Sequence, residues 1–229
     1  MPIAPSLCVE ADDVDEFVDQ IDRVFGVRFT VEAPLRALTM GELLVELKSR
    51  VGHDSAGACL TSMAFYRLRT AIRASFPDFP ISPDSALAAL PISRPASFLT
   101  SLSRASGLSL PDAQPRWLGK IGSIAIASGL FLCPAVAVFW HSWWVALGAA
   151  GAISIGVGLS WLDPGAFPTS CVTVGDLARR AASRNLSHLA REGGGVREAD
   201  LWPALLEAAN DIGTLSRHEQ IGPETGLFA

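Results

Sequence analysis

Histidine, aspartate and serine stand next to one another in the segment GHDSAG, residues 52–57. These are the side-chain types of a nucleophilic triad, in which serine attacks, histidine takes its proton and aspartate orients the imidazole. A triad needs its three groups to converge in space, and neighbours on one short loop seldom face each other in that way. We therefore interpret His53, Asp54 and Ser55 as part of a polar linker, with a nucleophilic site as the less favoured alternative.

Other chemistry-bearing residues are scattered. The four cysteines, Cys8, Cys59, Cys133 and Cys171, show no CxxC spacing, and no histidine pair has the spacing of a zinc site. We interpret the cysteines as small buried residues. The glycine run EGGGV lacks the strand, lysine and Ser/Thr of a phosphate-binding loop. The sequence therefore predicts no enzyme, no metal site and no cofactor.

Negative charge is concentrated near the N-terminus. The chain of 229 residues has a net charge of −5, which argues against a nucleic-acid-binding footprint. In EADDVDEFVDQID, residues 10–22, apolar residues recur at three- and four-residue steps with acids between them. This spacing predicts an amphipathic helix. An acidic outer face of this kind is most often simply solvated.

Two uncharged apolar stretches, residues 121–140 and 143–162, are separated by two residues. Each has about the 20 residues that a helix needs to cross a bilayer, and tryptophans lie at both ends. We predict a two-helix transmembrane hairpin, with a buried hairpin of a soluble domain as the alternative. Arg116 and Lys120 precede the hairpin and its turn has no Lys or Arg. The positive-inside rule then predicts a protein of the bacterial inner membrane with both termini cytoplasmic and the lipid bilayer as a partner.

Small residues recur every four positions in the second stretch. They are Gly148, Ala152, Gly156 and Ser160. Such a stripe lets another helix approach closely. We expect the partner to be the first stretch, and a dimer contact is the less favoured alternative.

One helix-start signal occurs twice, in LTMGELLVEL (residues 38–47) and in VTVGDLARRA (residues 172–181). Thr39 with Glu42, and Thr173 with Asp176, have the spacing of a capping box. We expect a helix to begin at each threonine. The other segments outside the apolar block also have helical periodicity, so the chain is predicted to be all-α.

Around these starts the chain resembles the acyl carrier protein family, which is a small four-helix bundle. The acidic helix, the FGVRF that follows it and LTMGEL are similar to the second half of that bundle. The C-terminal segment is similar to its helix I and the following I-x-P-x-T-x-L/F loop, here Ile221, Pro223, Thr225 and Phe228. The resemblance implies one carrier-like module that is circularly permuted across the two termini.

The middle of the chain resembles a second copy. Residues 59–76 are similar to helix I, ISPDSAL (residues 81–87) to the same loop, and residues 93–111 to helix II, before TVGDL begins the last helices. The implied fold is all-α, with acyl-carrier-like helical bundles plus a two-helix transmembrane hairpin. The implied divisions are residues 1–52 and 196–229 for the terminal module, 58–111 and 171–192 for the middle module, and 112–170 for the hairpin insertion.

A working member of the family carries phosphopantetheine on a serine at the start of helix II. Here the matching positions hold Ala11 and Ile92. Ser93 lies beside the second position and is a low-probability phosphopantetheine site. We interpret it instead as a helix N-cap.

The resemblance then implies two functions. The favoured one is a membrane-anchored, non-enzymatic acyl-carrier-like adaptor that docks a cytoplasmic protein with a basic patch. The alternative is a membrane-tethered acyl carrier, modified at Ser93, in lipid or polyketide-type synthesis. In the family helix II is the side that partners recognise, which assigns partner docking to Asp12, Asp13, Asp15, Glu16 and Asp19. A homodimer formed by swapping of the terminal helices is left open.

Overall fold

The structure is a computed structural model that describes residues 6–9, 14–28, 39–52, 56–139, 143–211 and 222–228. Most of the described chain is helical, as the sequence predicts. In chain order the elements are β1 (Ser6–Val9), α1 (Val14–Phe25), α2 (Met40–Arg50), β2 (Ala58–Cys59), α3 (Leu60–Ser75), a 3-10 turn (Leu87–Ala89), α4 (Pro95–Ser106), α5 (Trp117–Phe139), α6 (Trp143–Leu162), α7 (Val174–Arg184), α8 (Leu186–Arg191), β3 (Gly194–Gly195), α9 (Glu198–Asp211) and β4 (Gly226–Phe228).

These elements form two compact units. The first, which we call the terminal unit, comprises Met1–Ser85, Ser106–Leu110 and Thr173–Ala229. The second, the hairpin unit, comprises Ala86–Ala105 and Pro111–Val172. The sequence assigned α1, α2 and α9 to one module and α3, α7 and α8 to another, and all six helices lie in the terminal unit.

One apolar core joins the helices of the terminal unit. Helix α9 packs against α1, α2 and α7, and α3 packs against α7 and α8. The side chains of Phe17, Leu43, Leu68, Leu177 and Leu205 are at most 1% exposed. Each helix carries a single apolar face, and the helices bury these faces together because none could bury its own alone.

Two short parallel ladders connect distant parts of the chain. Strand β1 pairs with β4, with Ser6 opposite Gly226 and Val9 opposite Phe228. Strand β2 pairs with β3. The first ladder joins the two terminal segments within a single chain. Exchange of terminal helices between two chains stays a prediction.

Both expected capping boxes are present, at the starts of α2 and α7. Thr39 Oγ1 accepts the Glu42 N–H, and the Glu42 carboxylate accepts the Thr39 N–H. Thr173 and Asp176 make the same two bonds. The prediction of two helix starts is confirmed.

The first N–H groups of α2 are bonded by the C-terminal loop, in a contact that we call the terminal clasp. Met40 N–H donates to the Thr225 carbonyl at 2.9 Å and Gly41 N–H donates to the Pro223 carbonyl at 2.8 Å. Within the loop, the Gly222 N–H donates to Thr225 Oγ1 at 3.0 Å. The side chain of Thr225 is 2% exposed. The loop thus supplies acceptors that the helix itself cannot.

Helix α7 begins in the same way, in the middle clasp. Val174 N–H donates to the Ser85 carbonyl at 2.9 Å and Gly175 N–H donates to the Pro83 carbonyl at 2.7 Å. The Ser82 N–H donates to Ser85 Oγ at 2.9 Å. The two segments share a loop motif and a helix-start motif, and they make the same set of hydrogen bonds.

The hairpin unit is built on the contact between α5 and α6. An ideal Cβ on Gly122 would lie 2.5 Å from Ser160 Oγ, and one on Gly156 would lie 2.7 Å from the Gly122 carbonyl oxygen. Gly156 and Ser160 thus face the first helix, as predicted, whereas Gly148 faces open space. At the base of the hairpin, Asp163 Oδ2 accepts the N–H groups of residues 116 and 119 at 2.8 and 2.7 Å.

The prediction that this hairpin crosses a membrane is wrong. Among the residues that the structure describes, no helix combines the length and the apolarity that a membrane crossing requires. The uncharged stretches that suggested a membrane span include the glycines and the serine that line the close contact between α5 and α6. The predicted bilayer contact and inner-membrane location were inferred from that span, so the span no longer supports them.

The geometry of the clasps predicts that alanine at position 41 or 175 destabilises the chain. A Cβ at Gly41 or Gly175 would lie 2.9 Å from the proline carbonyl oxygen that the same residue's N–H contacts. The clasp cannot widen without losing its hydrogen bonds. We expect Gly41→Ala and Gly175→Ala each to lower the free energy of unfolding by about 1–3 kcal/mol in urea titrations. Higher helix propensity acts in the opposite direction, by at most about 1 kcal/mol.

The matched control is Gly52→Ala, since an ideal Cβ there meets no atom within 4 Å. We expect its stability to stay within about 0.5 kcal/mol of the unsubstituted chain. Equal stability of all three variants would contradict the clasp geometry.

Candidate docking face

Helix α1 presents an acidic face to solvent. Asp15, Glu16 and Asp19 are exposed, and we call these three residues the acidic face. The opposite side of the helix is buried, from Phe17 to Phe25. Two further residues that the sequence assigned to docking, Asp12 and Asp13, lie outside the described residues. The structure thus brings together the three described members of the predicted docking set.

The rotation of α1 about its axis is set by contacts with α8 and α9. Gln20 Nε2 donates to Asp211 Oδ2 at 2.8 Å, and Ser187 Oγ donates to the Arg23 carbonyl at 3.0 Å. The buried side of α1 adds Ile21 to the core at 1% exposure. Turning the helix would bury carboxylates and expose these apolar side chains, and both changes are unfavourable. The acidic face therefore has a fixed orientation on the terminal unit.

Two acids on α9, in the same unit, are paired with arginines. Glu207 lies 3.2 Å from Arg180 Nη1 and 3.3 Å from Arg184 Nε. Asp211 also pairs with Arg184. In contrast, the acidic face makes no ion pair with any residue in the described part of the chain.

Ser93, the low-probability phosphopantetheine site, is exposed at a bend before α4. The first helical residue is Pro95, a favoured residue at that position. The Arg94 carbonyl accepts the Phe98 N–H at 3.0 Å. Arg94 is therefore the residue that opens the helix, one position later than the N-cap expected at Ser93. The other matching position, Ala11, lies outside the described residues.

Histidine chemistry has little structural basis in the described chain. His53, Asp54 and Ser55 lie outside the described residues, so the polar-linker interpretation stays a prediction. His188 Nε2 lies 3.7 Å from Glu192 Oε1 and 3.4 Å from Arg67 Nη1, in an exposed cluster. A search of the described residues finds no group of three metal-ligating side chains.

A cavity of about 130 Å³ lies between α3, α7 and α9. Its walls are mainly apolar, and Arg179 and Asp200 contribute charged atoms. Pockets for small-molecule ligands typically measure about 300–1,000 Å³. This cavity is therefore too small to serve as a substrate pocket of the usual kind.

Cys59 is a candidate nucleophile that sequence reasoning missed. It was interpreted as buried, and the structure places it exposed at the N-cap of α3, whereas Cys171 is buried as predicted. The backbone N–H of Ser62 is the largest influence that lowers the pKa of the Cys59 thiol. Partial burial opposes it, and the Ser62 hydroxyl, the Thr61 N–H and the charge of Arg197 act in the same direction as the Ser62 N–H. The signal in the sequence was a cysteine followed by Leu-Thr-Ser at the start of a helical pattern.

The lowered pKa predicts early alkylation of Cys59. The thiolate is the nucleophile, so its reaction with iodoacetamide should reach half its maximal rate at a lower pH than in a peptide of residues 57–63. Ser62→Ala should move that pH upward because one donor to the thiolate is lost. Mass spectrometry of the labelled peptide measures both, and Cys59→Ser marks background labelling. Identical pH profiles for protein and peptide would contradict the assignment.

Comparison of the chain with protein-family models, with curated proteins and with solved structures finds no match. The likeness to acyl carrier proteins therefore depends on the sequence motifs that carry it. The fold and the function that this likeness implies remain proposals.

Proposed function

We propose that this protein is a non-enzymatic, acyl-carrier-like docking module. Its terminal unit presents the acidic face of α1 to a protein partner that carries a basic patch. The observation that carries the proposal is the clustering of three exposed acids without an ion pair on one helix. Asp15, Glu16 and Asp19 are exposed and make no ion pair with a described residue, while Glu207 and Asp211 of the same unit are paired with arginines.

The geometry of α1 suits recognition by charge. The three carboxylates, from Asp15 to Asp19, lie on just over one turn of the helix, so a compact basic patch can meet all of them. Such contacts steer partners together and select among them more than they add affinity. A helix anchored on α8 and α9 presents its charges without first having to be ordered, which removes one cost of binding.

Charge reversal tests this proposal. In cross-linking and affinity capture from the producing cells, Asp15→Lys with Asp19→Lys should reduce recovery of the specific partners by at least about tenfold, since like charges then oppose each other. Raising the salt concentration should have the same effect on the unsubstituted chain, because exposed charges are screened beyond about 10 Å at 0.1 M ionic strength.

The control carries the same change in net charge at another place. Asp78 and Asp112 are exposed acids outside α1, and Asp78→Lys with Asp112→Lys should leave the captured partners unchanged. Both double variants should unfold within about 1 kcal/mol of the unsubstituted chain, as surface substitutions do. Equal capture by the two variants would contradict docking through the acidic face.

The exposure of Ser93 supports a second candidate function, that of an acyl carrier modified at this serine. A transferase needs access to the hydroxyl, and an exposed bend before α4 provides it. The α4 N-terminus would favour the phosphate electrostatically. The mismatch of Ile92 with the family's serine weighs against this function, and we expect the chain to remain unmodified.

Intact-mass measurement separates the two functions. After co-expression with a broad-specificity phosphopantetheinyl transferase, the mass of the chain should be unchanged. A gain of one phosphopantetheine arm that disappears in Ser93→Ala would establish the carrier function in place of the docking module.

A further inference from the structure

Helix α3 carries two arginines that form no ion pair with any residue in the described ranges. Arg69 and Arg73 are four residues apart, which places them on the same side of the helix. Tyr66 lies on that side too and is 61% exposed. We call Tyr66, Arg69 and Arg73 the arginine face. Tyrosine and arginine are among the residue types that are enriched in protein interfaces.

The guanidinium groups of the arginine face lack acceptors, unlike that of Arg67 on the same helix, which pairs with Glu192. Arg69 Nε is buried, and no described residue accepts a hydrogen bond from it. A buried donor without an acceptor is unfavourable, and more so when the group is charged. Arg69 therefore gains a strong hydrogen bond when its side chain turns outward onto a carboxylate. This chemistry fits an acidic partner.

Helix α1 carries acids that match the arginine face in spacing. Asp15 and Asp19 are also four residues apart, so each charged pair spans about 6 Å along its helix. Two such helices laid side by side would bring each carboxylate opposite one guanidinium. The acids of α2, α7 and α9 are less suitable, because each of them already makes a hydrogen bond or an ion pair within its own chain.

We propose that the arginine face of one copy of this chain binds the acidic face of a second copy. The inference rests on the proposed function, and it assigns the partner's basic patch to α3 of another copy. Both faces are accessible on the same copy, so they do not satisfy each other within it. Because the two surfaces differ, copies join head to tail. The contact is small and charged, which is typical of a transient interface.

Sedimentation velocity of the full chain, over a range of protein and salt concentrations, tests the proposal. At low ionic strength we expect the weight-average sedimentation coefficient to rise with protein concentration. At about 1 M salt the rise should largely disappear, because charges are then screened beyond about 3 Å. Arg69→Glu with Arg73→Glu should raise the dissociation constant by at least about tenfold. Arg73→Glu alone changes an exposed position and should give a smaller increase.

The matched control is another pair of exposed cations four residues apart, Arg116 and Lys120. Arg116→Glu with Lys120→Glu makes the same change in net charge and should leave self-association unchanged. Urea titrations show whether each variant stays folded.

Mixing two variants gives a second readout of the contact. The chain with Arg69→Glu and Arg73→Glu keeps the acidic face, and the chain with Asp15→Lys and Asp19→Lys keeps the arginine face. Neither variant should associate with itself. Their mixture should form a one-to-one complex, since each supplies the face that the other lacks.

A chain that is monomeric at all concentrations would overturn the inference, and so would self-association that high salt leaves intact. A mixture of the two variants that stays monomeric would also overturn it. Loss of association in the α1 variant but not in the α3 variant would have the same consequence, since the acidic face would then dock at another site. The proposed function would survive these results if the acidic face still captured other proteins from cells.

Discussion

The N–H groups at the start of a helix have no acceptor within that helix, and the terminal unit is organised around how α2 and α7 satisfy theirs. A threonine hydroxyl accepts one, and two backbone carbonyls of a proline-containing loop accept the two that precede it. Because these donors are satisfied, Met40 and Val174 can be fully buried. The two helices can therefore begin inside the core instead of at its surface.

The clasps also explain how distant segments hold each other in place. The middle clasp follows α3 along the chain and holds the start of α7, and the terminal clasp holds the start of α2. In the middle copy the chain runs continuously through the loop. In the terminal copy the loop lies near the C-terminus and the helix near the N-terminus, and the β1–β4 ladder lies beside their contact. The two clasps thus have similar hydrogen-bond geometry, and the interpretation of the chain as two related modules, one of them permuted, stays a proposal.

The packing of the helices also decides which acids of the terminal unit form ion pairs. Arg180 and Arg184 on α7 face Glu207 and Asp211 on α9, because those two helices are in contact. Arg184 also donates to the Leu110 carbonyl at 2.9 Å. Glu207 and Asp211 therefore form their ion pairs within the folded unit. The carboxylates of Asp15, Glu16 and Asp19 lie on the exposed side of α1, away from its contacts with α8 and α9.

Local interactions could be predicted from the amino-acid sequence alone. A capping box joins residues three apart, and an amphipathic helix needs only a periodic pattern, so the starts of α2 and α7 and the acidic side of α1 followed from the sequence. The repeated loop motif was also visible in the sequence. Its hydrogen-bond partners were not, since Gly41 meets Pro223 only after the whole unit has closed. The exposure of Cys59 was hidden in the sequence for the same reason. Composition counts apolar residues, whereas the tertiary contacts decide which atoms those residues face.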